Sequence, residues 1–180
     1  MRITRPTADE HAPNHLTYID AAAAALTADG GDDIVALLAA QPAAFRALLQ
    51  HAPPSAAGFA YAPGKWTLAE SLVHVNDTER VFSYRLVRIA RGDGTPLPGF
   101  EQDDWVPASR AGRRTLDDIV GELEAVRAST LALVRSLDEE ALAQVGMASG
   151  QTVSARALVW MLAGHMAHHL VLTRERYLSR

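Results

Sequence analysis

The feature that most constrains this chain is a helical period in its apolar residues, sustained over long segments and broken between them by proline and glycine. After an N-terminal stretch of about a dozen residues with Pro6 and Pro13, a helix is expected from about Asn14 to Gly30. Asp32 should cap a second helix carrying Ile34, Leu37 and Leu38, which Pro42 should kink or divide before Phe45, Leu48 and Leu49. Pro53, Pro54, Gly58, Pro63 and Gly64 mark a loop. Thr67 and Glu70 then form a capping-box pattern opening a helix to about Arg91. Residues 92 to 114, with Pro96, Pro98, Gly99 and Pro107, are too long for an ordinary helix connection and read as a crossover or lid. Thr115 caps a helix with Leu116, Ile119, Leu123, Val126, Thr130 and Leu133 toward the core, ending near Leu137. A short turn from Asp138 to Gln144 and a Gly/Ser loop lead to Ser154, the cap of a last helix of about 26 residues. Four long helices and one long crossover imply an all-α, four-helix bundle.

With 180 residues, 48% of them hydrophobic and 21% charged, the chain reads as one globular domain spanning 1–180. A net charge of −4 gives no basic footprint for nucleic acid, and no apolar run is long enough for a membrane span. With no leader pattern at its start, the simplest expectation is a cytoplasmic protein. The absence of cysteine removes thiolate ligands and a cysteine nucleophile, so any metal must sit on nitrogen and oxygen, and any thiol chemistry must use an external thiol.

On the last helix, Leu158, Met161, Leu162, His165, His169 and Leu172 lie near one meridian, which puts two histidines in the middle of an apolar stripe. The spacing i, i+4 sets their Cβ atoms about 5–6 Å apart, close enough for two ring nitrogens to meet on one ion. The alternative is a pair of ordinary core histidines, each of which would need a hydrogen-bond partner inside the core. His168 points about a quarter-turn away, His11 and His15 read as solvated, and His51, beside a Pro-Pro loop, carries no signal.

The helix opened by Thr67 carries Glu79 inside its stripe of Leu68, Leu72, Val75, Phe82 and Leu86. A buried carboxylate needs a partner, here either a metal or an arginine such as Arg176 or Arg85. His74, at the edge of the stripe, either faces across the bundle or is a boundary histidine.

Two segments resemble a known family. Gly64-Lys65-Trp66-Thr67, Glu70 and His74-Val75-Asn76-Asp77-Thr78-Glu79-Arg80 are similar to the tryptophan, capped helix and first histidine of the DinB-like (YfiT-like) metal-dependent enzymes. Gly164-His165-Met166-Ala167-His168-His169 is similar to that family's paired histidines, and Arg88 to Asp93 with Pro96 to Phe100 resembles one branch of it. The resemblance implies a DinB/YfiT-like four-helix bundle with His74, His165 and His169 as ligands of one divalent ion. The family includes thiol-dependent S-transferases and a mycothiol-dependent maleylpyruvate isomerase, so it does not fix the reaction.

Three histidines leave an ion with open positions, which suits an enzyme activating water or a low-molecular-weight thiol against a small-molecule substrate. Zinc or nickel is the preferred ion, with iron, manganese or copper also compatible. Glu79 or Asp77 would orient a histidine or move a proton, and Trp66, Tyr84 and Trp105 would shape the pocket. The other expectation is a non-catalytic metal-binding or stress-linked interaction protein, favoured if Glu79 completes the shell. A second apolar strip on the last helix, with Trp160, Ala163, Gly164, Ala167, Val171 and Leu178, suggests a homodimer unless the N-terminal helices cover it.

Overall fold

The computed structural model describes residues 2–179. Seven α-helices are present among them: α1 (Leu16–Ala28), α2 (Ile34–Leu49), α3 (Leu68–Ala90), α4 (Gln102–Ala108), α5 (Leu116–Arg135), α6 (Glu139–Ala143) and α7 (Ala155–Leu172). A π-helical segment, Thr173–Leu178, continues α7. The bundle is formed by α2, α3, α5 and α7: α2 and α3 each pack against both α5 and α7, so they sit on opposite corners. Helix α1 lies outside this square, along α7.

Three of the four expected caps are in place. Thr67 accepts from the Glu70 amide while the Glu70 carboxylate accepts from the Thr67 amide at 2.8 Å, closing the capping box at α3. Thr115 caps α5 through the Asp118 amide, and Ser154, fully buried, caps α7 through the Ala157 amide at 2.9 Å. The α2 cap is Asp33 rather than Asp32, its carboxylate accepting from the amides of Val35 and Ala36.

Pro42 does not divide α2, which runs unbroken through it. A proline inside a helix leaves the carbonyl four residues earlier without its donor, here Leu38. Arg127 on α5 replaces that donor, its Nη1 donating to the Leu38 carbonyl at 2.8 Å. A tertiary contact therefore compensates the local break, and α2 takes its place as one of the four bundle helices.

The second strip on α7 is covered within the chain from Trp160 to Ala167. Ala163 and Gly164 are buried against α1, and a Cβ on Gly164 would stand 1.7 Å from the Tyr18 carbonyl oxygen, so the two backbones are in contact there. Trp160 and Ala167 are buried as well. Val171, farther along the same strip, is 49% exposed.

The Gly/Ser loop before α7 is a hairpin. Strands β1 (Val145–Ala148) and β2 (Gln151–Ser154) pair antiparallel, Val145 opposite Ser154 and Ala148 opposite Gln151. Ser149 and Gly150 at its tip have φ of 52° and 72°, the two left-handed positions of a two-residue turn whose twist matches the strands. The crossover is anchored to this tip: the Leu97 amide donates to Met147 O at 2.8 Å and the Ser149 amide to Leu97 O at 3.0 Å. Beyond it, α4 lies against α3. No helix among the described residues is long and apolar enough to cross a membrane.

Candidate metal centre

Helices α3 and α7 pack side by side, and their facing surfaces bring His74, His165 and His169 together. Each offers a ring nitrogen, all three within 4.8 Å of one another, and all three residues are buried. Nε2 of His74 faces Nε2 of His165 at 3.1 Å, and the ring centroids of the three lie 4.7–5.2 Å apart. The i, i+4 spacing on α7 supplies two of the nitrogens, and the face of α3 that packs on α7 supplies the third.

The surroundings favour neutral rings with lone pairs turned inward. Burial lowers the pKa of His74 to about 4 and of His169 to about 3, and that of His165 well below its ordinary value; the neighbouring histidines add to this for His165 and His169. Nδ1 of His169 lies 3.2 Å from the Ser71 hydroxyl and Nδ1 of His74 lies 3.4 Å from the Thr78 hydroxyl. With Nδ1–H donating to a hydroxyl oxygen, Nε2 of each ring is left as the ligating atom. Such a set of neutral nitrogen donors, paired on their outer side and crowded on their inner side, fits a divalent transition metal.

The centre has aromatic walls. The Tyr18 ring stands edge-on to His165 at 5.1 Å, Trp66 lies 4.8 Å from His74, and Phe82 lies 6.1 Å from His165. Trp66 is fixed from the far end of the chain, since the Tyr177 hydroxyl donates to its carbonyl oxygen at 2.9 Å. His168 is exposed, as its position on α7 requires. His11, expected in solvent, is buried, with Nδ1 2.9 Å from Ala12 O, because the N-terminal segment pairs with β2. His15 is half-buried.

Glu79 gives both its oxygens to Arg127, at 2.6 Å from Nε and 2.9 Å from Nη2, with the two side chains 4% and 1% exposed. It is outside the ligand cluster. The partner is Arg127, not Arg85 or Arg176. The core-facing edge of α5 runs through Arg127 while Val126 is only half-buried, a one-residue rotation that the apolar pattern alone does not show. Arg127 also holds Gln41, whose amide donates to Ala163 O on α7 at 2.7 Å. One buried network thus ties α2, α3, α5 and α7 together next to the histidines.

Asp77 lies one turn beyond His74, half-buried, 3.6 Å from Arg80, and burial raises its pKa. It lines a cavity of about 380 Å³ between α3 and the crossover, with Val81, Tyr84, Arg85, Phe100 and Trp105. Asp103, in the first turn of α4, sits near enough for its charge to act on His74. A larger cavity of about 820 Å³ lies elsewhere, around Leu49, Pro54 and Leu116, and none of the three histidines lines it.

A model of the DinB superfamily matches residues 37–172. The chain belongs to the DinB superfamily. No curated protein matches it. Among solved structures it is similar to YfiT from Bacillus subtilis, described as a probable metal-dependent hydrolase with an unusual four-helix bundle topology. The two share 15% identity at a TM-score of 0.71, over 78% of this chain and 84% of that one, a likeness of fold. The DinB match takes in α3, α5 and α7 with all three histidines, and leaves α1, which supplies Tyr18, outside. Ser71 and Arg127 were not singled out by the sequence. Ser71 had a signal, one turn before His74 on α3, whereas Arg127 could be found only through the charge Glu79 demands.

Proposed function

We propose that this protein is a metal-dependent enzyme in which His74, His165 and His169 hold one divalent ion, zinc or nickel, beside a cleft for a small organic substrate. The observation that carries the reading is a buried cluster of three neutral imidazoles with no carboxylate completing it among the described residues. Three protein ligands and an open position are the pattern of a catalytic site, whereas structural sites are closed by four. Glu79, the residue that would have closed the shell, is committed to Arg127.

A divalent ion held in this way supplies a water or an external thiol activated near neutral pH. The remaining steps fall to the chain's own groups. Ser71 and Thr78 hold the tautomers of His169 and His74, Trp66 and Tyr18 exclude bulk water from the rings, and Asp77 is placed on the cleft side of α3 to move a proton. The likeness to YfiT, a probable metal-dependent hydrolase, supports hydrolysis, and the absence of cysteine means that a thiol transfer would draw its thiol from solution.

The test is to reconstitute purified protein with zinc or nickel and assay simple esters and amides, and bacterial thiols with electrophiles. Turnover lost on chelation and in His165→Ala with the fold retained supports the reading. Turnover that survives both removes it.

A further inference from the structure

Arg85 is a buried cation without a counter-charge. Its side chain comes off α3 on the same face as His74 and Val81 and is 6% exposed. Nη2 donates to the Pro98 carbonyl at 2.8 Å and to the Ser149 hydroxyl at 2.7 Å. Nε and Nη1 have no acceptor among the described residues, and no carboxylate lies within ion-pair distance. The other arginine buried to this degree among the described residues, Arg127, is paired with Glu79. Burial lowers the pKa of Arg85 and no acidic neighbour opposes it, yet a guanidinium keeps its charge at any ordinary pH. A largely buried charge lacking a partner is costly, and its free N–H groups, which are not sealed inside the protein, are available to a ligand in the cavity that Arg85 lines.

The guanidinium is fixed in place. Its Cζ lies 5.9 Å from the Phe82 ring and 5.7 Å from the Phe100 ring, and its two bonds attach it to the crossover and the hairpin tip. It lines the 380 Å³ cavity, whose other walls are mostly apolar, with Tyr84, Leu97, Phe100 and Trp105, and carry two further charged groups, Asp77 and Arg80, which lie 3.6 Å apart. None of the three histidines lines that cavity, but Asp77, one turn beyond His74 on α3, does. Phe82, which touches Arg85, also packs 6.1 Å from His165, and α4, which supplies Trp105, brings Asp103 toward His74.

We infer that Arg85 is the specificity-determining residue for the substrate, binding a carboxylate on an apolar or aromatic small molecule whose body fills the cavity under Phe100 and Trp105. The location of the reacting bond beside the histidines rests on the proposed function; the carboxylate subsite itself does not need the metal. Charge-assisted hydrogen bonds from a fixed guanidinium in an apolar pocket separate an acid from its neutral isostere.

The test uses phenylacetate and its isostere phenylacetamide, measured by calorimetry and NMR on full-length protein, both metal-free and zinc-loaded. Metal-free protein should bind phenylacetate at least about tenfold more tightly than phenylacetamide. In Arg85→Met that preference should vanish, and the Arg85 Nε resonance of the unmutated protein should shift with the acid and not with the amide. The last readout needs no variant, so it stands even if Arg85→Met does not fold. Equal binding of the two probes, no binding of either, or an unmoved Arg85 resonance overturns the inference. Preference in the metal-free protein, together with zinc-loaded protein that turns over none of the esters, amides or thiol and electrophile pairs of the activity assay, upholds the carboxylate subsite and removes only the reading of the histidines as a catalytic centre.

Discussion

Arg127 donates from α5 to the very carbonyl of Leu38 that Pro42 leaves without a helical partner, and with the same guanidinium it grips both oxygens of Glu79. Removing one side of a buried pair strands the other. Arg127→Met should therefore cost about 3–5 kcal/mol in urea denaturation. Glu79→Met combined with Arg127→Met should cost clearly less than the sum of the two single changes. A loss under about 1 kcal/mol for Arg127→Met would show that the pair does not hold the bundle together.

Gly164 is a position where even a methyl group has no room. The Tyr18 carbonyl oxygen would meet a Cβ at 1.7 Å, and it belongs to a backbone rather than to a side chain that can turn aside. Gly164→Ala gains in helix propensity, but overpacking against main chain should outweigh that gain, for a net loss of about 2–3 kcal/mol or more. Thermal unfolding against the parent protein checks this. A stabilised Gly164→Ala would mean that α1 does not dock on α7 as described.

Metal content should follow the three buried histidines and ignore the exposed one. By elemental analysis, His74→Ala, His165→Ala and His169→Ala should each fall from about one ion per chain toward zero, while His168→Ala retains it. Because the Trp66 ring lies 4.8 Å from His74, nickel or copper should quench a tryptophan signal that Trp66→Phe removes. Full metal content in His169→Ala would refute the ligand set.

The metal-free protein should be destabilised by mild acid. In the folded state His74 and His169 hold pKa values of about 4 and about 3, below the 6.5 of an unfolded chain. Below pH 6.5 the unfolded chain takes up protons that the folded one refuses. Stability is therefore complete above about pH 6.5 and falls as the pH drops from there toward 4 and 3, by about 3 kcal/mol for His74 alone. Denaturation midpoints between pH 8 and 4.5, measured with chelator present, test the direction; a midpoint that does not fall over that range counts against buried neutral histidines.

Local chemistry wrote much of this fold plainly. Thr67, Thr115 and Ser154 each begin a helix, because a side-chain oxygen meeting the third amide is a short-range event that a few residues specify. The pair His165 and His169 was equally legible, since helical spacing alone places both rings on one face. What stayed hidden depends on partners distant in sequence. Pro42 reads as a break until Arg127 repairs it from 85 residues away, and Arg127 looks like a surface residue until Glu79 draws it inside. The hairpin of four-residue strands was too short for its alternation to show, although Ser149-Gly150 marked the turn. Ser71 and Arg85 likewise gain meaning only when α7, the crossover and the hairpin arrive beside them.

Tyr18 plays two separate parts, its main chain seating α1 on Gly164 and its ring facing His165. His15, one turn earlier, lies within reach of the Arg85 charge. A wall held by its backbone leaves its side chains at liberty, so residues 15 and 18 can be exchanged while the helix keeps its seat. The seat on Gly164 does not depend on either side chain, whereas the Tyr18 ring packs against His165, so a change there reaches that histidine. A panel hung on its main chain lets the surroundings of His165 be altered without unseating the helix.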